Sequence, residues 1–509
     1  MNKTSTYEKI KTNIGENGKL PHTFTLEEKP APNQIAFMPG AMDGIGVFHM
    51  GCGNEKKDVK KILSLLKKYF KTGNEQYILK FEMILKNTRV ISLIDTILQA
   101  LRNDYKGLDS NRIVELSLSL IQTSENIEMI KIMIGILGLF DLGAHKNIVE
   151  TVTTLALYDE FTLYAVVAAS NWTGGNDAIF RIAKGVDCWG KIHAVEGLEP
   201  QNDEIRDWIL RDGCSNGIMD AYLGLTCAVK GDLISALRQD SMNEELFDSI
   251  AIIVGALLNE GPVDGISSYE HRKEAMTLFM NHAKKHVVSV EHLLHILNVK
   301  LWAESGEIEY KEEVLAACSE IINQSDWQRK IIDIIKLHND DFKYFCACNA
   351  ASRLDIDVSS EFFAAIKANP LKHYSHIPQL FKKPEFAETL IRTYETALPL
   401  DDMAEGMGDY LFSDNLNQEH QCLDFILPEL AAYPMQGMKL IKTGLNSRIV
   451  RERNMACRAL SGWMKILGKP LDTISPELYE ELGRIYKIEV NKETKKTMRK
   501  IINGEVAET

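Results

Sequence analysis

The chain has 509 residues, too many for one compact core, so it must form either two or more domains or one extended repeat array. A content of 45% hydrophobic and 25% charged residues is ordinary for a globular protein, and only 14 prolines suits a chain dominated by helices. The formal charge of −13 argues against non-specific nucleic-acid binding, which needs a basic face to displace counterions.

Residues 1–54 stand apart. Pro21, Pro30, Pro32 and Pro39 fall here with Gly40, Gly44, Gly46, Gly51 and Gly53, so a long helix is excluded and an irregular segment is expected. Ile35 to Met38 reads as a short extended piece before a glycine-rich turn. The turn carries Gly44-x-Gly46, but a dinucleotide loop needs a third glycine at position 49, which is His49. Phe48-His-Met-Gly51-Cys52-Gly53 has the flavour of a haem-thiolate bulge, yet the usual spacing puts cysteine at 55, which is Glu55.

From Glu55 onward the chain reads as helix after helix, with an N-terminal array over 55–260. Lys56, Lys57, Lys60, Lys61, Lys67 and Lys68 mostly share a face opposite Val59, Ile62, Leu63 and Leu66, the pattern of a solvated amphipathic helix. Residues 111–121 fit helix or strand, and their neighbours decide for helix. The longest apolar run, 132–140, is too short for the roughly 20 residues that cross a bilayer and reads as a buried helix. Asp203-Glu204 opens a helix that Gly213 closes. The stretch 261–268 is the densest turn cluster beyond the N-terminus and predicts a domain boundary. A C-terminal array over 268–503 and a polar tail over 504–509 follow.

One pattern recurs: Lys191-x-x-Ala194-x-x-Gly197-Leu198 and Arg453-x-x-Ala456-x-x-Ala459-Leu460. Small residues three apart let a second helix come close, and the basic residue one turn earlier is expected at the rim. Stacked helix pairs of this kind predict an all-α, HEAT- or armadillo-like α-solenoid. Nine scattered cysteines and a polar first stretch point to free thiols in a reducing cytoplasm.

Candidate chemistry is sparse. His282-x-x-x-His286, His292-x-x-His295 and His373-x-x-His376 pair imidazoles on helix faces, and exposed or capping histidines are the plainer expectation. Cys346-x-Cys348 is too tight for a zinc loop and reads as core packing. Asp355-x-Asp357 before Ser359 reads as a helix start. Trp189, His193 and Glu196 form one helical stripe, either lining a concave surface or pairing a packed tryptophan with a surface His–Glu pair.

Residues 189–198, 204–214 and 35–44 resemble a group of bacillus- and clostridium-type proteins called limonene hydroxylase, which in turn look similar to HEAT-repeat proteins. The resemblance implies a monooxygenase that converts limonene, a small apolar terpene, to carveol and perillyl alcohol with NAD(P)H and dioxygen. It extends to dehydrogenation of those alcohols. It assigns no residue a role, and no haem, flavin or metal motif is recognised. Should a metal take part, His282, His286, His292 and His295 are the first candidates and Cys52 the next. The alternative is a non-catalytic scaffold that binds a protein or peptide on a concave helical surface.

Overall fold

A computed structural model describes residues 4–26, 37–51, 59–85, 88–103, 108–261, 263–410 and 417–507. The protein is all-α: about 30 helices and no β-strand occur among the described residues. It divides into two compact units, broken between Ser325 and Asp326.

The first unit holds α1 (Thr6–Thr12), α2 (Ala41–Ile45), α3 (Val59–Thr72), α4 (Gln76–Leu85), α5 (Ile94–Asn103), α6 (Ser110–Thr123), α7 (Ile127–Leu137), α8 (Lys146–Leu155) and α9 (Asp159–Ser170). It continues with α10 (Gly175–Gly185), α11 (Cys188–Gly197), α12 (Asp203–Asp212), α13 (Ala221–Lys230), α14 (Leu233–Leu237), α15 (Glu244–Leu258), α16 (Arg272–His286), α17 (Val290–Ser305) and α18 (Lys311–Ile322).

These helices start where the sequence supplies caps. Asn126, Asn202, Asn243 and Ser289 each accept an amide two or three residues inside the next helix. Helices then stack two apart in the chain: α7 on α9, α9 on α11, α11 on α13, α13 on α15 and α15 on α17. A second row runs α14 on α16 and α16 on α18. The repeated small residues set the spacing in the first row. A Cβ on Gly197 of α11 would lie 2.3 Å from Val166 of α9, so only glycine permits this approach.

The expected solvated face of α3 is present in the described residues. Val59, Ile62 and Leu66 are buried while Lys60, Lys61 and Lys68 are exposed; Lys56 and Lys57 lie outside the described residues. Residues 132–137 form the buried end of α7, as the apolar run predicts. No described helix is long and apolar enough to cross a membrane.

Three expectations change. The N-terminal segment is not irregular throughout, because α1 buries Tyr7 and Ile10 behind a Ser5 cap, and a single π-turn, Gly46–Met50, follows α2. Ile35 and Ala36 lie outside the described residues. The stretch 261–268 lies inside the first unit, between α15 and α16, which pack on each other.

The third change concerns Arg453. The second unit holds α19 (Trp327–Leu337), α20 (Asp341–Arg353), α21 (Ser359–Ala368), α22 (Ile377–Phe381), α23 (Pro384–Ala397), α24 (Leu400–Met403), α25 (Gln418–Ile426), α26 (Met438–Leu445), α27 (Val450–Leu467), α28 (Leu471–Ile474), α29 (Pro476–Ile488) and α30 (Lys492–Ile502). α27 packs against α26, α28 and α30, and its Trp463 is fully buried and donates to the Leu430 carbonyl at 2.8 Å. Ala456 faces Gly444 of α26, as the small-residue pattern requires. Arg453, however, is completely buried rather than at the rim. Its guanidinium finds Glu489 at 2.7 and 2.9 Å and the carbonyls of Ser447 and Gly408 at 2.8 and 2.9 Å.

Candidate functional site

The resemblance-bearing segments at 37–44 and 189–198 meet in space, and α2 is the link. Gly40 begins α2 with φ +75°, and its amide donates to Glu160 of α9 at 2.8 Å. Three residues on, Asp43 turns inward. It accepts from Lys131 Nζ of α7 at 2.8 Å and from the Tyr164 hydroxyl of α9 at 2.9 Å. Lys131 also donates to Glu160 at 2.5 Å and Glu128 at 3.0 Å.

Lys131, Asp43 and Glu160 are buried. Burial alone pulls the Lys131 ammonium down, but the carboxylates of Glu160, Asp43 and Glu128 outweigh it and hold its pKa above the ordinary value. The Tyr164 hydroxyl is pushed well up by burial and by Asp43. Asp43 Oδ1 is buried without a hydrogen-bond partner among the described residues. Sequence reasoning missed this cluster. Its signal was one lysine inside the otherwise apolar stretch of α7.

The next face of α2 packs on α11. A Cβ on Gly44 would fall 2.1 Å from Trp189 Cε3, so this glycine is required by contact with the indole. Gly44→Ala is expected to displace α2 and cost about 1–3 kcal/mol. Thermal unfolding and the emission of Trp189 measure this; an unchanged midpoint would mean that α2 is not seated on the indole.

The π-turn then places Phe48 against Tyr222, His193 and Trp189, with ring centroids 4.9, 6.1 and 6.4 Å away, and His49 bonds the Tyr222 hydroxyl. His193 is buried, not a surface partner of Glu196. Glu196 is exposed and accepts from Thr226 instead. The residues 204–214 form α12, whose Trp208 lies under the Lys191 ammonium at 5.9 Å.

Two groups near α11 titrate abnormally, with opposite signs. Burial pushes Asp159 up to about 7, although the Gly190 and Trp189 amides pull the other way. Burial pulls His193 down to about 4, and its Nε2 has no partner among the described residues. The raised carboxyl contributes stability that is full below about pH 4 and lost as pH rises through 7. The depressed imidazole contributes stability that is full above about pH 6.5 and lost as pH falls through 4. Accordingly, Asp159→Asn should gain on the wild type as pH rises from 4 to 7. His193→Gln should gain as pH falls from 6.5 to 4. Denaturant midpoints across that range test both, and parallel profiles would refute the assignment.

The histidine candidates come together around α15 as packing groups. His282 and His292 are buried, which leaves only the capping half of the expectation of exposed or capping rings. His282 Nε2 meets the Leu237 carbonyl at 3.0 Å, and His292 Nε2 meets Asp248 at 2.6 Å. His286 stacks on Phe247 at 5.0 Å, while burial and His292 push His295 down to about 4. Among the described residues no group of three or more His, Cys, Asp or Glu side chains is arranged to hold a metal ion. Cys52 lies outside the described residues.

His373 and His376 join a ring cluster in the second unit with His338 and Tyr344, which the spacing alone did not reveal. Cys346 is buried in α20, and Asp357 accepts from the Ser359 amide at the start of α21, as read from the sequence.

The glycine turn does not fit a dinucleotide. Its first amide is engaged by Glu160, the buried carboxylates of Asp43 and Glu160 would repel a pyrophosphate, and the Trp189 indole closes the approach at Gly44.

A hollow suited to a small molecule lies elsewhere in the first unit. A cavity of 340 Å³ sits among α3, α5, α6 and α7. Phe70, Leu101, Ile113, Ile136, Leu139 and Phe140 line it, and Arg102 and Ser110 supply polar groups. A second hollow of 380 Å³ shares Arg102 and Leu139 with the first and is edged by Asp95, Gln99 and Asn171.

These features define an all-helical protein of stacked helices with an N-terminal segment anchored by a buried ionic cluster. Compared with protein-family models and with curated proteins, the sequence matches none.

Proposed function

We propose that the chain is a terpene monooxygenase of the limonene hydroxylase kind, oxidising limonene at allylic carbons to carveol and perillyl alcohol. The observation that carries this reading is the 340 Å³ apolar cavity. An apolar cavity of roughly 150 Å³ takes up benzene, so this one has room for about ten to thirteen heavy atoms, the size of a cyclic terpene. The overall change joins limonene, dioxygen, NAD(P)H and a proton into the alcohol, NAD(P)⁺ and water.

The test incubates purified protein with limonene, NADH or NADPH, and air. Chromatography should find carveol and perillyl alcohol, one per reduced nicotinamide consumed. Ile113→Trp, which fills the cavity, should abolish both products. Neither alcohol formed by the wild type would sink the reading.

A second reading is a HEAT- or armadillo-like solenoid that holds a protein or peptide on its concave surface. The stacking of helices two apart, from α7 to α17, favours it. Solution scattering tests its shape: a compact chain of this length has a radius of gyration of about 23 Å, and a solenoid must exceed that clearly.

A further inference from the structure

The two adjoining hollows are both mainly apolar, and Arg102 belongs to both. The inner one is walled mainly by aliphatic and phenyl groups. The outer one mixes Leu98, Val167 and Ala168 with Asp95, Gln99 and Asn171. Arg102 sits in the last turn of α5, where a guanidinium is also favoured by the helix dipole. Among the described residues it makes no ion pair and no hydrogen bond, although most other arginines of the first unit do. An unpaired guanidinium with a planar fork of donors, beside a greasy chamber, matches a carboxylate on an apolar body.

We propose that the inner hollow binds an amphipathic monocarboxylate, with its hydrocarbon part in the chamber and its carboxylate on Arg102 at the border of the two hollows. The inner chamber sets the size at about ten to thirteen heavy atoms, by the same comparison with benzene. Asp95, the one acidic residue among the lining groups, lines only the outer hollow, so the carboxylate is placed on the side of Arg102 that faces the inner chamber. The inference uses the same cavity as the terpene reading but does not depend on oxygenation. A chain that binds the acid and leaves limonene untouched satisfies it.

Octanoate is the probe, titrated calorimetrically into the purified full-length chain, with octan-1-ol as the uncharged comparison. Octanoate should bind one per chain, more tightly than the alcohol, and more weakly as salt is raised. Arg102→Gln changes an exposed side chain, so folding is kept, and it should weaken octanoate about tenfold while leaving octanol unchanged. Ile113→Trp should remove binding of both. Absence of octanoate binding, equal affinity for the alcohol, or an Arg102→Gln variant that binds octanoate as the wild type does would each overturn the proposal.

Discussion

Lys131→Met is expected to destabilise the first unit by about 3–5 kcal/mol at pH 8, because breaking a buried ion pair strands the partner charge. Here three partners are stranded: Asp43, Glu128 and Glu160 all lie within 3.0 Å of the ammonium. Methionine matches the lysine stem in bulk, so the loss reports charge rather than a cavity. Protonation relieves stranded buried charge, so the loss should shrink at pH 5. Adding Asp43→Asn should recover part of it. Denaturant unfolding at the two pH values measures this, and a loss under about 1 kcal/mol at pH 8 would show that the cluster is not a structural anchor. Amide exchange should locate the damage in α2, α7 and α9.

Arg453→Met should act with similar size, about 3–5 kcal/mol, but in the second unit. Arg453 and Glu489 are both fully buried, and their bidentate pair leaves Glu489 with an unbalanced charge once the guanidinium is gone. Arg453→Lys should not rescue it. One ammonium cannot reproduce a planar fork that serves Glu489 and two carbonyls at once. Faster exchange confined to α26, α27, α29 and α30 is the expected signature. A lysine variant as stable as the wild type would refute the argument from fork geometry.

Local pattern was enough for the helices themselves. The apolar period of α3, the acidic start of α12 and its stop at Gly213, and the burial of 132–137 are all short-range properties, set by which residues lie three or four apart. The small-residue spacing also anticipated the close approach of α11 to α9 and of α27 to α26, since the absence of a side chain is legible without knowing the neighbour.

The fate of the buried charged groups and of His193 depended on distant neighbours, and that only the tertiary structure decided. Lys131 and Arg453 look like surface residues by type, yet each is buried because carboxylates far away in the chain, Asp43 and Glu160 for one and Glu489 for the other, arrive at its tip. His193 belongs to the core because Phe48 and Trp189 cover it, not because of its spacing from Glu196. The cavity was likewise invisible, since its walls come from four helices and no one of them carries its signature. A helix is a local free-energy minimum that the sequence can specify within a few turns. Charge burial and empty space are properties of pairs brought together by the fold, and they have no local code.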